Sequence, residues 1–431
     1  MRACTWMRRR EHTFSENGKA ILCGGCVAAA EGLALKILFN HARILLPDRV
    51  LKGYAVVDGR HIQRVEAGDP PGGEAFDRQI DLGEAYLCPG FVELHCHGGG
   101  GSDFMDGTLP AFEVACATHL KHGVTTLLPT VLAASREEIL RSIRAFREAK
   151  AALEGRSLCM PGLHMEGPYL NIAQKGAIDA RYIRNPDPEE YECFLREGRG
   201  AIARWTMAVE LPGAFAFARR LLEEGILPSI GHSNAEYSTV RAAFQNGFTH
   251  VTHLYSAMSG MVRRGGFRYP GVIESAFCIP ELTVEIIADG CHLPPEILSM
   301  VVRAKGITHT ALTSDAMRCA GQDVGESILG SLENGQRVII EDGVAKMPTR
   351  DSFAGSIATC DRLVRTMVHQ AGISLVDAVR MMTLTPAEIL KIHSTKGSIA
   401  PGKDADLICL DEDLCVSGVM VEGNGLIGCM K

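Results

Sequence analysis

The stretch Leu87-Cys88-Pro89-Gly90-Phe91-Val92-Glu93-Leu94-His95-Cys96-His97 decides the fold. Its mostly apolar run, Leu87–Leu94, has the length of a buried strand and ends in two histidines at i and i+2. On an extended chain such a pair projects to one side. Seven further short runs follow: Val124–Pro129, Met160–Met165, Arg204–Val209, Leu227–Ile230, Thr249–Thr252, Thr283–Ala288 and Thr310–Thr313. Helices lie between several of them. Ser135 with Glu138 three residues on forms a capping box, and Ile139, Leu140, Ile143 and Phe146 follow at helical spacing. Helices near Phe112–His122, Tyr237–Gln245 and Glu296–Lys305 are each stopped by a glycine, Gly123, Gly247 and Gly306. Eight strands in alternation with helices predict an α/β fold, a (β/α)8 TIM-like barrel over residues 87–393 rather than an open doubly wound sheet.

The chain ends read differently. Ile37–Leu46 suggests a strand, and Tyr54–Val57 and His61–Val65 flank Asp58-Gly59, a dipeptide suited to a tight hairpin turn. Near the other end Gly397–Gly402 leads into Ala405–Leu410. Neither piece can bury a core alone, so residues 35–86 and 394–431 are expected to form one small β-sandwich domain. Helices near Ile357–Gln370 and Leu375–Met382 link it to the last barrel strand. Residues 1–34 read as a poorly ordered extension. Arg8–Arg10 are parted from the mildly apolar Ile21–Leu35 by polar residues, unlike a signal peptide, and Cys23-Gly24-Gly25-Cys26 is a lone C-x-x-C.

Composition sets the class. With 46% hydrophobic and 22% charged residues, the 431-residue chain can build a large core, which excludes disorder as the main reading. A net charge of −7 excludes a nucleic-acid or anionic-membrane surface. No apolar stretch reaches the roughly 18–20 residues that span a membrane. Fifteen cysteines, an odd number scattered singly, read as reduced thiols of a cytoplasmic enzyme.

The chemistry sits at the strand tips. His95 and His97 end the first strand, Glu166 the third, His232 the fifth, His253 the sixth and Asp315 the eighth, while Asp289-Gly290-Cys291-His292 ends the seventh. In such a barrel all C-terminal ends meet on one face. Four histidines, a glutamate and an aspartate then converge, a donor set suited to zinc or another first-row divalent ion such as iron. A carboxylate beside such an ion, Asp315, can shuttle a proton while a carbonyl is attacked. His41, His61, His119, His122, His309, His369 and His393 fall away from the tips and read as surface or packing groups. His164 and His250 sit short of a tip and read as orienting or packing residues. Alternation turns Cys96 away from the cation, into the packing.

These runs, with Gly231-His232-Ser233-Asn234-Ala235, Thr252-His253-Leu254-Tyr255-Ser256-Ala257-Met258 and Ala354-Gly355-Ser356, resemble the N-acetylglucosamine-6-phosphate deacetylases of the metal-dependent amidohydrolase superfamily. The resemblance covers about residues 36 to 411. It implies that Glu166, His232 and His253 hold one metal, and that His95 and His97 place the chain in a two-metal branch with Glu166 bridging. It also implies that Asp315 is the acid/base, that His292 polarises the acetamide carbonyl, and that Arg268 binds a 6-phosphate across a homodimer interface, with Arg263 and Arg264 near enough to share that duty. Ala177, Ser256, Ala257, Phe353, Ala354 and Gly355 would line the sugar pocket. Two positions depart from the family: Ser256 stands for its usual Asn, and Tyr269 for its usual Glu. They leave the sugar epimer open, N-acetylgalactosamine 6-phosphate being the sibling substrate. Cyclic-amide hydrolases of this superfamily commonly use a carboxylated lysine after the fourth strand, where this chain has Glu210. A non-catalytic scaffold would have shed metal ligands that are all present here.

Overall fold

The computed structural model describes residues 35–427. The Arg8–Arg10 run, the Cys23/Cys26 pair and the last residues of the expected C-terminal segment lie outside them. Eight parallel strands pair in chain order: Phe91–Cys96, Val124–Leu132, Leu163–Glu166, Ile202–Met207, Leu227–Ile230, His250–Val251, Thr283–Ile287 and Thr310–Thr313. The eighth meets the first through a parallel bridge between Cys96 and Ala316. This is the (β/α)8 barrel the alternation predicts. Val124–Leu132 is buried at every position, as a strand covered on both faces must be. The helix Arg136–Leu153 starts at the expected Ser135–Glu138 capping box and turns Ile139, Ile143, Phe146 and Ala149 onto the barrel.

One expected strand proves to be two. Leu87–Leu94 divides at Gly90. Tyr86–Pro89 pairs with Lys36–Leu45 and Leu407–Leu410, and Phe91–Cys96 enters the barrel. A Cβ on Gly90 would sit 2.1 Å from Thr125 Oγ1, so the corner requires glycine. The two ends of the chain share one eight-stranded mixed sheet, in which Ile37, Phe39, Val57, Leu87, Leu407 and Cys409 make a core of their own. Two other pieces have no counterpart in the sequence reading: a three-stranded sheet, Glu326–Leu329, Gln336–Glu341 and Val344–Lys346, and an exposed hairpin, Val262–Arg264 with Phe267–Tyr269.

The barrel interior holds an ion pair. Arg204 donates to both oxygens of Glu285, at 2.6 and 3.0 Å, and neither residue is accessible to solvent. Burial alone would push the Glu285 carboxyl up, but Arg204 outweighs it and holds the group well below the usual carboxylate range. Arg204 spends its other donors on Ser229 Oγ, Thr252 Oγ1 and the Leu94 carbonyl, so the pair joins strands from around the barrel. Removing one partner leaves a buried charge unpaired. Arg204→Met is therefore expected to cost about 3–5 kcal/mol in urea unfolding, with part regained on adding Glu285→Gln. A loss below about 1 kcal/mol would mean the pair does not sustain the barrel.

Candidate active site

The strand tips converge as the barrel requires. Glu166, at the end of Leu163–Glu166, divides its two oxygens. Oε1 faces His232 Nε2 at 3.1 Å and His253 Nε2 at 3.0 Å, while Oε2 faces His97 Nε2 at 3.3 Å and His95 Nε2 at 3.5 Å. Asp315 Oδ1 lies 3.1 Å from His97 Nε2 and 3.4 Å from His95 Nε2. His95, His97 and Glu166 form one metal-compatible group, and Glu166, His232 and His253 a second, all buried. Three of these residues occupy left-handed backbone, His232 at φ 48°, His253 at 27° and Asp315 at 46°. Non-glycine residues there cost about 1–3 kcal/mol each, which the surroundings must enforce. At Asp315 they do so through main-chain bonds: its N–H donates to His95 O at 3.1 Å and its carbonyl accepts from Ser356 N–H at 2.8 Å. Neighbouring Gly355 is equally constrained, since a Cβ there would come within 2.9 Å of Asp315 O.

The hydrogen bonds behind the rings show what the site is built to hold. His232 Nδ1 donates to the Gln174 carbonyl at 2.8 Å, and His95 Nδ1 to Glu285 at 3.2 Å. Each ring is thereby held with its Nε2 aimed at the Glu166 carboxylate. Lone pairs facing a carboxylate repel unless positive charge lies between them, and ligating histidines are oriented in this way by an outer acceptor. Burial opposes a charge on His97, yet Asp315 and Glu166 outweigh it and push its pKa up to about 9. The donor set therefore fits a divalent cation. His164 Nε2 meets Thr206 Oγ1 at 2.7 Å and His250 Nε2 meets Glu285 at 3.3 Å, the orienting or packing places expected of them. Cys96 turns away to the Gly98 carbonyl and His119, also as alternation predicts.

A cavity of about 270 Å³ opens over these groups. His97, Glu166, His232, His253, His292 and Asp315 line it, as do Ala177, Ser256, Ala257, Phe353, Ala354 and Gly355. His95 lies behind the wall. His292 donates from Nδ1 to Asp289 Oδ2 at 2.8 Å, and its ring packs on Phe353 with centroids 4.9 Å apart. Burial opposes ionisation of Asp289, but His292 outweighs it and keeps the carboxyl below its usual range. Arg268 does not line the cavity. It sits exposed on the hairpin, opposite Arg263, and no lysine or arginine among the described residues lines the cavity. Tyr269 lies 4.1 Å beneath the Arg264 guanidinium, which also pairs with Glu236.

Sequence reasoning missed several wall residues. Tyr255 lay inside a quoted run, but nothing marked it as facing the cavity. Leu132 ends a strand whose tip carries no polar group, and Leu329 belongs to the unforeseen three-stranded sheet. Glu285 did leave a signal, as the one charge in the buried run Thr283–Ile287.

A barrel with this histidine and carboxylate mouth defines the class. The chain belongs to the amidohydrolase family, whose model matches residues 86–426. Within it, the N-acetylglucosamine-6-phosphate deacetylase of Bacillus subtilis (strain 168) is 31% identical over 396 residues, covering 91% of this chain and 97% of that protein. An N-acetylgalactosamine-6-phosphate deacetylase of Escherichia coli O157:H7 is 29% identical over 78% of this chain and 86% of its own. A solved mutant N-acetyl-D-glucosamine-6-phosphate deacetylase from Mycobacterium smegmatis, in complex with N-acetyl-D-glucosamine-6-phosphate, superposes with a TM-score of 0.83 at 32% identity. It covers 92% of this chain and 100% of its own. Among the described residues no helix is long and apolar enough to cross a membrane.

The two faces of Glu166 make it the common support of both histidine pairs. Glu166→Ala is expected to weaken zinc binding by more than the roughly 10–100-fold of an outer-shell change, while His292→Ala keeps it. Metal content after dialysis, read by mass spectrometry, checks both; equal retention in the two variants would remove Glu166 from the metal site.

Proposed function

We propose that this chain hydrolyses the acetamide of N-acetylglucosamine 6-phosphate, releasing glucosamine 6-phosphate and acetate. The observation that carries the reading is Asp315, 3.1 Å from His97 and facing the cavity that Glu166, His232, His253 and His292 also line. Relatives of that name, similar over nearly their whole length, supply the substrate.

Glu166, His232 and His253 would hold one ion, and His95 and His97, with the other Glu166 oxygen and Asp315, a second. Mixed imidazole and carboxylate donors suit zinc first and iron second. A bound divalent ion supplies Lewis acidity and makes water nucleophilic near neutral pH. The protein groups carry the protons. An amide nitrogen is a poor leaving group until protonated, so the proton Asp315 takes from the attacking water must return to that nitrogen. His292, held on Asp289 through Nδ1, would polarise the carbonyl oxygen as it gains charge, donating from Nε2 when the ring carries both protons. Small groups at Ala177, Ala257, Ala354 and Gly355 allow the sugar close to the main chain.

The phosphate needs a cation, and no lysine or arginine among the described residues lines the cavity. Arg268 of a second copy would supply one in a homodimer, a guanidinium fork suiting phosphate oxygens. Support comes from the hairpin itself, which exposes Met261, Val262 and Phe267, the last at 73%, beside three arginines. Free thiols among the described residues fit a reducing compartment, the cytoplasm. N-acetylgalactosamine 6-phosphate is the second reading, favoured by Ser256 on the cavity wall and by relatives of that name. Assays of both epimers, with and without phosphate, separate the two.

Asp315→Asn is expected to lower kcat by about 10²–10⁴-fold with metal retained at Glu166, His232 and His253. Near-normal turnover would take Asp315 out of the mechanism. Arg268→Ala is expected to raise KM for the phosphorylated sugar far more than for the plain N-acetyl sugar, and equal effects on the two would mean that Arg268 does not read phosphate.

A further inference from the structure

Glu93 lies two residues before His95 and is wholly buried, yet it touches neither the cavity nor the Glu166 carboxylate cluster. It stands at the seam of the barrel. Neighbouring barrel strands pair in ladders, but among the described residues the first and eighth share no ladder, and the Cys96–Ala316 bridge with a few hydrogen bonds beside it joins them. Just below that bridge, the Glu93 carboxylate spans the gap. Its Oε1 accepts from Thr313 Oγ1 at 2.5 Å and from His95 N–H at 3.0 Å. Its Oε2 accepts from Ser314 N–H at 2.9 Å and from the Cys360 thiol at 3.1 Å. Thr313 and Ser314 lead directly into Asp315, whose own N–H donates to His95 O.

We propose that Glu93 is a positioning residue for the reaction: its carboxylate locks the tip that carries Asp315 to the tip that carries His95 and His97. The inference rests on the deacetylase reading given above. Asp315 sits on left-handed backbone, so without an external tie its tip relaxes toward a commoner conformation and Asp315 swings off His97. The contact pattern demands a carboxylate. Each oxygen takes one main-chain N–H, His95 on one side and Ser314 on the other. A glutamine amide must therefore turn its NH2 against a main-chain donor in either orientation, and no flip avoids it.

The test compares Glu93→Gln and Thr313→Val as zinc-loaded full-length enzymes with the wild type. Thr313→Val removes the hydroxyl that bonds both Glu93 and the His95 carbonyl, at the same size. Glu93→Gln is expected to lower kcat by about 10–100-fold with KM near that of the wild type, and Thr313→Val to lower it less. In an Asp315→Asn background Glu93→Gln is expected to add no further loss, because both changes act on one proton transfer. A general loosening of the fold would instead multiply the losses, and that result overturns the proposal. So does wild-type kcat in both variants. If Glu93→Gln does not fold, Thr313→Val decides alone. The cobalt-substituted proteins give a readout independent of turnover: a visible absorption band altered in either variant supports the tie, and one identical to the wild type's overturns it. Wild-type protein that shows the band but does not deacetylate would sink the deacetylase reading and leave Glu93 to be judged on the spectrum.

Discussion

A carboxylate and a guanidinium without water on either must satisfy each other, and the inside of this barrel is arranged around that constraint. Taking such charges out of water costs several kcal/mol each unless every donor and lone pair is matched. Arg204 and Glu285 meet the condition by spreading their bonds over strands on all sides. The lone pairs Glu285 has left go to His95 Nδ1, His250 Nε2 and the His253 N–H. Charge balance at mid-barrel therefore decides which nitrogen His95 presents to the mouth.

One level higher the same logic runs with the cation left to come from outside. Four imidazoles and two carboxylates are crowded within hydrogen-bond range of one another, and Glu166 divides its oxygens between two histidine pairs. The crowding is held by backbone that the chain would not choose by itself. His232, His253 and Asp315 all turn left-handed immediately after their strands, which aims each side chain across the mouth instead of along the strand. Strain of this kind persists only where neighbouring bonds over-determine it. At Asp315 those bonds cross the seam between the first and last strands, the place where a barrel built from one open sheet is least secure.

How much of this was legible follows from the same physics. Strands covered on both faces read as apolar runs, so a polar residue at a tip stands out, and the positions of His95, His97, Glu166, His232, His253 and Asp315 could be foreseen. The break at Gly90 could not. Glycine is as compatible with a continuing apolar run as with a corner, and only the crowding of Thr125 reveals the corner. The Glu326–Lys346 sheet escaped because its short strands carry mixed charges with no clean alternation, and the Leu329 wall of the cavity went with it. Glu285 and Glu93 were visible as charges inside buried strands, but their partners lie on strands remote in sequence, and pairing across a closed sheet leaves no local pattern.

The remaining asymmetry is electrostatic. The described residues give the cavity carboxylates and imidazoles but no arginine or lysine in its wall, and Arg268 sits on an exposed hairpin outside it. A dianionic phosphate in the cavity of a single chain would share it with Glu166 and Asp315, with no arginine or lysine among the described residues that line it. A cation at the metal positions relieves this only at the amide end of a sugar, since the 6-phosphate hangs from the opposite side of the ring. On the proposed reading the phosphate end is thus the part that one chain leaves incomplete. On the same reading, Arg268, carried on an exposed hairpin with apolar Met261, Val262 and Phe267, would complete a neighbour's site rather than its own.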